Sequence, residues 1–141
     1  MKILVINGPN MNLLGKREPQ LYGNATYRDL IMKVEERARE LDVMCMFFQS
    51  NHEGAIIDVI QKASDDGIDG IIINAAGYSH TSIAIMDCLK AVGIRAVEVH
   101  VTDPMQREDF RHIDYVGLAC ELTIAGHGID GYVEALEFLC Q

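Results

Sequence analysis

Glu98 and His100 stand two residues apart in the run Ala96-Val97-Glu98-Val99-His100. On an extended strand alternate side chains point the same way, so this carboxylate and imidazole share a face. A carboxylate in that position can fix the tautomer of a histidine and hold it for proton transfer. A solvent-facing strand end is the bland alternative. Buried without a partner, however, Glu98 would be costly, which favours a working pair. A second set of residues offers positive charge: Lys16, Arg17, Arg28, Arg107 and Arg111 lie in or beside two long connections. The arginine donors form a fork that fits a planar carboxylate. Singly, each arginine is as well explained as a surface partner of Glu18, Glu108 or Asp109. Gathered on one side they read equally as an anion site or as solvated surface residues. Acid–base chemistry on a small acidic molecule is the reaction type these residues support.

The overall charge runs against that reading. The formal net charge is -9 and the isoelectric point about 4.9. An acidic chain with no run of lysines is a poor candidate for nucleic acid or an anionic membrane. Local positive charge must therefore override the global sign. The 141 residues suit one domain spanning residues 1–141, and 49% of them are hydrophobic but only 6% aromatic, so its core is aliphatic. Cys45, Cys88, Cys120 and Cys140 all lie in apolar segments and form no C-x-x-C pair, which reads as buried free thiols. Met1 to Ile6 is too short for a signal peptide or a membrane span, so the chain is expected to be cytoplasmic. On that reading the sequon Asn24-Ala25-Thr26 carries no glycan.

The elements that must position these residues follow from hydrophobic patterning. Apolar runs at Ile3–Ile6, Val43–Phe48, Ile68–Ile73, Ala96–Val99 and Leu118–Ala125 read as strands buried on both faces of a parallel sheet. Helical patterns lie between them. Thr26, with Asp29 three residues on, resembles a capping box, and Tyr27, Leu30, Ile31, Val34, Ala38 and Leu41 then form one stripe. Further helices are expected over Glu53–Asp66 and Thr81–Val92, stopped by Gly67 and Gly93, and over Gly131–Cys140 with Val133, Leu136 and Cys140 inward. Strand–helix alternation predicts an α/β, flavodoxin-like three-layer fold with a five-stranded parallel sheet in the order 2-1-3-4-5.

Such sheets bind ligands outside the carboxyl ends of their strands. Here those ends carry Asn7, Gln49-Ser50-Asn51-His52, Asn74, His100 and Ala125-Gly126-His127. Two long connections, Gly8–Asn24 and Val101–Val116, arrive on the same side, and long loops in a compact domain are usually functional. Gly126-His127-Gly128-Ile129-Asp130-Gly131 matches a dinucleotide fingerprint. That fingerprint needs a further strand and an acidic residue about 20 positions on, so the glycines read as a tight turn. No compact set of three metal ligands stands out in the spacing. A receiver module of the same fold would need acidic residues where Asn7 and Asn74 stand. A flavin carrier would need a Ser/Thr-rich phosphate loop and aromatic walls, which Gly8 to Gly15 does not offer.

Five blocks then make a resemblance specific. Ile6-Asn7-Gly8-Pro9-Asn10-Met11-Asn12-Leu13-Leu14-Gly15 with Arg17-Glu18-Pro19 and Tyr22-Gly23 resembles the opening signature of the type II 3-dehydroquinate dehydratases. Gln49-Ser50-Asn51-His52-Glu53-Gly54 is similar to the second block, and Asn74 with Tyr78-Ser79-His80-Thr81-Ser82 to the third. Val97-Glu98-Val99-His100 and Arg107-Glu108-Asp109-Phe110-Arg111-His112 complete the set, which covers nearly the whole chain. The resemblance implies anti elimination of water from 3-dehydroquinate through an enolate, with no metal and no cofactor. It implies a homododecamer built as a tetramer of trimers. By motif position Tyr22 resembles the general base, Arg17 the cation that activates it, and Asn10 the holder of an enolate-stabilising water. His100 resembles the general acid, with Glu98 behind it. Asn74, His80, Arg107, Arg111 and the backbone at Val101 and Thr102 resemble the substrate-binding set, and Asp87 a residue reaching a neighbouring subunit's site. The chain departs from the pattern at Thr102-Asp103-Pro104, Met105-Gln106 and His127. Asp103 adds a negative charge and is a candidate partner for Arg107.

Overall fold

The computed structural model describes residues 1–141. In chain order the elements are β1 (Lys2–Asn7), the short α1 (Pro19–Tyr22), α2 (Tyr27–Glu40), β2 (Met44–Gln49) and α3 (Glu53–Asp65). They continue with β3 (Gly70–Asn74), α4 (Ile83–Val92), β4 (Arg95–His100), β5 (Leu122–Ala125) and α5 (Asp130–Leu139). The five strands are parallel, in the order β2-β1-β3-β4-β5, as patterning predicts. Helices α2 and α5 cover one face through Leu30, Val34, Tyr132 and Leu136, packed on Ile3, Val5 and Val97. Helices α3 and α4 cover the other through Ile56, Ile60, Ile85 and Leu89, packed on Leu4, Ile6 and Ile71. The result is the three-layer flavodoxin-like arrangement.

Local chemistry explains the element starts. Thr26 accepts from the Asp29 amide at 3.1 Å while the Asp29 carboxylate accepts from the Thr26 amide at 2.9 Å, a complete capping box at the start of α2. Such caps contribute about 1 kcal/mol each. Helix α4 begins later than its apolar pattern, because Ser82 caps it and Ala76–His80 forms a 3₁₀ turn instead.

Four expectations need correction. Only the three central strands are buried on both faces; β2 and β5 are edges and stay partly exposed. Within the run Leu118–Ala125 only Leu122–Ala125 is strand, since Val116–Ala119 folds as a 3₁₀ turn. The inward face of α5 is Tyr132, Ala135, Leu136 and Leu139 rather than Val133, Leu136 and Cys140. Tyr132 drives that rotation, because its hydroxyl reaches Asn7 and Asn74 at the strand ends. The cysteines are all free thiols, but only Cys88 is buried.

Register sets Gln49, Asn7 and Asn74 in one row, with Glu98 one residue short of it beside Ile73. Asn7 pairs with Gln49 on one side and Asn74 on the other, and Glu98 pairs with Thr123. Beyond that row the chain makes one close approach. The Gly8 amide donates to the Asn74 carbonyl at 2.8 Å, and a Cβ on Gly8 would fall 2.5 Å from the Ala75 oxygen. Only glycine lets the first loop cross the end of β3 so tightly.

Candidate active site

A cleft of about 210 Å³ opens at the carboxyl edge of the sheet. Asn10, Arg17 and Tyr22 line it from the first long loop, and Asn74 and His80 from the end of β3 and the turn after it. His100, Val101, Thr102, Arg107 and Arg111 line it from β4 and the second long loop. Glu98 lies beneath His100, fully buried. Asp87 is not among the lining residues; it is exposed on α4. Of the loop cations, Lys16 and Arg28 stay outside the cleft.

The first loop is shaped by unusual backbone. Asn10 has φ 70° and Glu18 φ 38°, and Ala76 across the cleft has φ 53°. Three of the four non-glycine residues with positive φ thus lie at or beside this cleft, where stored strain commonly serves a site. Asn51 holds the Asn10 amide at 3.1 Å. Glu18 precedes the single turn of α1, which ends on Tyr22 and presents its ring to the cleft.

Two guanidinium groups converge on the Tyr22 hydroxyl. Arg17 Nη2 donates to Oη at 3.1 Å and Arg107 Nη1 at 2.8 Å. Their guanidinium carbons lie 4.5 Å and 5.4 Å from the ring centroid. A negative charge on that oxygen would rest between two cations, each donating a charge-assisted hydrogen bond. Arg107 also reaches the Thr102 hydroxyl at 3.4 Å. Its expected partner Asp103 is engaged elsewhere, accepting from the Met105 amide at 3.0 Å, because a short turn at Pro104 needs a cap. Arg111 is paired with Glu108 at 2.9 Å, and Arg17 forms no ion pair with Glu18.

On the opposite wall His100 is 6% exposed, on the α3/α4 side of the sheet, the same face as Glu98. Its Nε2 lies 3.2 Å from Glu98 Oε2 and 3.8 Å from Asp114 Oδ2. These are charge contacts without hydrogen-bond alignment, so Nε2 and Oε2 each lack a directional partner. Glu98 Oε1 accepts from Thr123 at 3.0 Å, and Asp114 Oδ1 from the Gly117 amide at 2.9 Å. Burial alone disfavours charge on His100, but Asp114 and Glu98 together outweigh it and raise its pKa to about 9. Burial pushes Glu98 up to about 7, with Asp114 adding to the rise and His100 opposing it. Asp114 also feels burial, but His100, Glu98 and the Gly117 amide hold it down to about 2. The His80 ring stacks on His100 with centroids 6.1 Å apart, and His80 Nδ1 lies 2.8 Å from the Ile113 carbonyl. That carbonyl only accepts, so Nδ1 carries the His80 proton.

Asn74 forms the back of the cleft. Its amide nitrogen donates to the Tyr132 hydroxyl at 3.0 Å and its oxygen accepts from the Ala76 amide at 3.0 Å. Sequence reasoning missed Asp114, Thr123 and Tyr132. The strand pairing of Glu98 with Thr123 was available in principle from register; Asp114 carried no local signal at all. Glu98, His100 and Asp114 also bring three donor atoms within 4.8 Å of one another, a grouping that spacing along the chain concealed.

A parallel flavodoxin-like sheet carrying a tyrosine between two guanidinium cations on one wall and a carboxylate-backed histidine on the other defines an acid–base enzyme acting on a small anion. The profile of the family described as "Dehydroquinase class II" matches residues 1–140. The chain belongs to that family. It is 52% identical over 135 residues to the 3-dehydroquinate dehydratase of Caldicellulosiruptor saccharolyticus, covering 96% of this chain and 93% of the relative. The 3-dehydroquinate dehydratase of Bordetella avium is 49% identical over 136 residues, covering 96% of this chain and 94% of its own. The crystal structure of the type II dehydroquinase from Butyrivibrio crossotus superposes with a TM-score of 0.98 at 46% identity, covering 100% of this chain and 98% of the other.

Proposed function

We propose that Tyr22 and His100 are the base and acid of a stepwise elimination across this cleft. Membership of the family makes the chain a 3-dehydroquinate dehydratase, a hydro-lyase that forms 3-dehydroshikimate and water in the shikimate pathway. The Tyr22 oxygen, held between Arg17 and Arg107, takes the ring proton beside the ketone, and the electron pair moves onto the ketone oxygen as an enolate. Asn10 holds a water that donates to that oxygen. The enolate then returns its electrons to the ring, the carbon–oxygen bond to the departing hydroxyl breaks, and His100 supplies the proton that completes the water. Glu98 orients His100. Arg111, Asn74, His80, Arg107 and the backbone at Val101 and Thr102 hold the substrate's carboxylate and hydroxyls. Two groups on opposite walls suit anti rather than syn loss of the elements of water.

The observation that supports this reading is the Tyr22 hydroxyl held by two guanidinium groups across the cleft from a buried His100. The test is incubation with 3-dehydroquinate carrying deuterium at one face of the reacting carbon. The conjugated product is followed by ultraviolet absorbance, and loss of the label anti to the hydroxyl is expected. Retention of that label, with loss of the other, would remove the assignment.

The working assembly in this proposal is a homododecamer of four trimers in the cytoplasm. Asp87 supports it: exposed on α4 and away from its own cleft, it is free to complete a neighbour's. No helix is long and apolar enough to cross a membrane. A fully active monomer in light scattering at assay concentration would refute the assembly.

A further inference from the structure

We propose that Asp114 is a positioning residue: with Glu98 it forms a paired-carboxylate seat that keeps His100 protonated in the cleft. The inference rests on the assignment of His100 as the acid, and it adds a residue that neither the strand pattern nor the sequence blocks point to.

The seat is built from three elements. Glu98 comes up from β4, and its outer oxygen is tied to Thr123 on β5 at 3.0 Å. Asp114 comes from the second long loop, with one oxygen tied to the Gly117 amide at 2.9 Å. Each carboxylate thereby spends one oxygen on a fixed donor and turns the other towards His100 Nε2, at 3.2 Å and 3.8 Å. Gly117 makes room for the arrangement. A Cβ there would fall 2.6 Å from Asp114 Oδ2 and 2.8 Å from Glu98 Oε1. The other titratable neighbours do not compete for the role. His80, stacked on His100, has its Nδ1 proton committed to Ile113. Cys120, beside both carboxylates, is held as a neutral thiol by burial. Arg17, Arg107, Arg111 and Tyr22 line the same cleft but form no ion pair or hydrogen bond with His100.

Charge balance explains why two carboxylates are needed. A lone buried Glu98 could neutralise one imidazolium, but giving up the His100 proton to the leaving hydroxyl would strand a buried carboxylate. With Asp114 ionised and Glu98 protonated, the cluster is neutral while His100 holds its proton, and the single negative charge left after the transfer sits on Asp114, whose side chain is 30% exposed, rather than on fully buried Glu98. The outcome is an acid that remains loaded with its proton well above the ordinary histidine range.

The experiment follows His100 directly by NMR, with the ring resonance assigned in a His100→Gln variant, through a pH titration of the native enzyme and of Asp114→Asn. In the native enzyme His100 should titrate well above the ordinary range near 6.5. In Asp114→Asn its midpoint should fall by at least roughly one unit, and the alkaline limb of kcat/KM should move with it, a further loss of about tenfold at high pH relative to neutral. Gly117→Ala, which must separate the two carboxylates, should move the midpoint the same way. An ordinary midpoint in the native enzyme overturns the proposal even if the variants do not fold. So does an unchanged midpoint in Asp114→Asn, or a loss of kcat/KM equal at every pH, which a merely structural role would give. A shifted midpoint with an unaltered rate profile supports the seat while removing His100 from the acid step.

Discussion

Replacing Tyr22 by phenylalanine tests the mechanism at its most demanding point. The change deletes one oxygen that accepts from Arg17 at 3.1 Å and from Arg107 at 2.8 Å. The ring stays, and so does the Arg17 guanidinium 4.5 Å from its centroid. The two cations face an open cleft and regain water, so the lost hydrogen bonds should cost stability under about 1 kcal/mol. Activity should respond on a different scale. A missing general base costs about 10²–10⁴-fold in rate, or roughly 3–5 kcal/mol of barrier. The separation between those two scales is what makes the variant informative. Turnover is read from ultraviolet absorbance of the conjugated product, product affinity from calorimetry, and stability from the urea midpoint. The expected result is a loss of at least about a hundredfold in kcat with the fold intact and product still bound. If Tyr22 only anchors the loop, stability and activity would fall together and modestly. Near-native turnover in Tyr22→Phe would refute the assignment of the base outright.

Arg107→Met should cut turnover as severely as Arg17→Met, because Arg107 makes the shorter contact to the same oxygen; a variant that alters only KM would make Arg107 a binding residue alone. His100→Ala should lower kcat by about 10²–10⁴-fold yet still exchange the ring proton beside the ketone with deuterated water, since enolate formation precedes departure of the hydroxyl. Loss of exchange together with elimination would contradict a purely acid role. Stability should fall as pH rises across the neutral range. Folded Glu98 keeps its proton up to about 7 against 4.5 unfolded, and folded His100 up to about 9 against 6.5, so in both cases the folded chain binds more protons. The stability from His100 is full below its unfolded value and gone once pH passes its folded one, while the cost of ionising buried Glu98 grows from its unfolded value to its folded one. Asp114 acts oppositely and only in acid, losing its contribution as pH falls from 3.8 towards about 2. Denaturation midpoints for the native chain should therefore decline from about pH 5 to about pH 9, and less steeply in Glu98→Gln. An equal slope in the variant would show that Glu98 does not carry the effect.

Much of the fold was legible because its signals are local. Branched apolar runs gave the strands, Thr26 and Asp29 the start of α2, and the alternation of elements the sheet order. The pairing of Glu98 with His100 followed from strand periodicity. The errors came where tertiary demands overrode local ones. The run from Leu118 looked continuous, but Val116–Ala119 turns beside the buried carboxylates, where Gly117 must fit. Helix α5 is rotated so that the Tyr132 hydroxyl donates to Asn7 Oδ1 and accepts from the Asn74 amide nitrogen.

The sequence by itself determined the layers of this protein, the edge of the sheet that carries its polar residues, and the identity of the base and acid as candidates. Periodicity and motif order are properties of neighbours in the chain, and they survive without any knowledge of contacts. Which arginine meets which partner was decided only by the tertiary structure. Arg17 and Arg107 lie far apart in sequence and converge on one phenol oxygen, while Arg111 turns to Glu108. Asp114 was likewise silent in the chain, in a loop of no regular period. Burial beside Glu98 and His100 gives it its role, because a carboxylate's influence depends on distance and on the water removed around it.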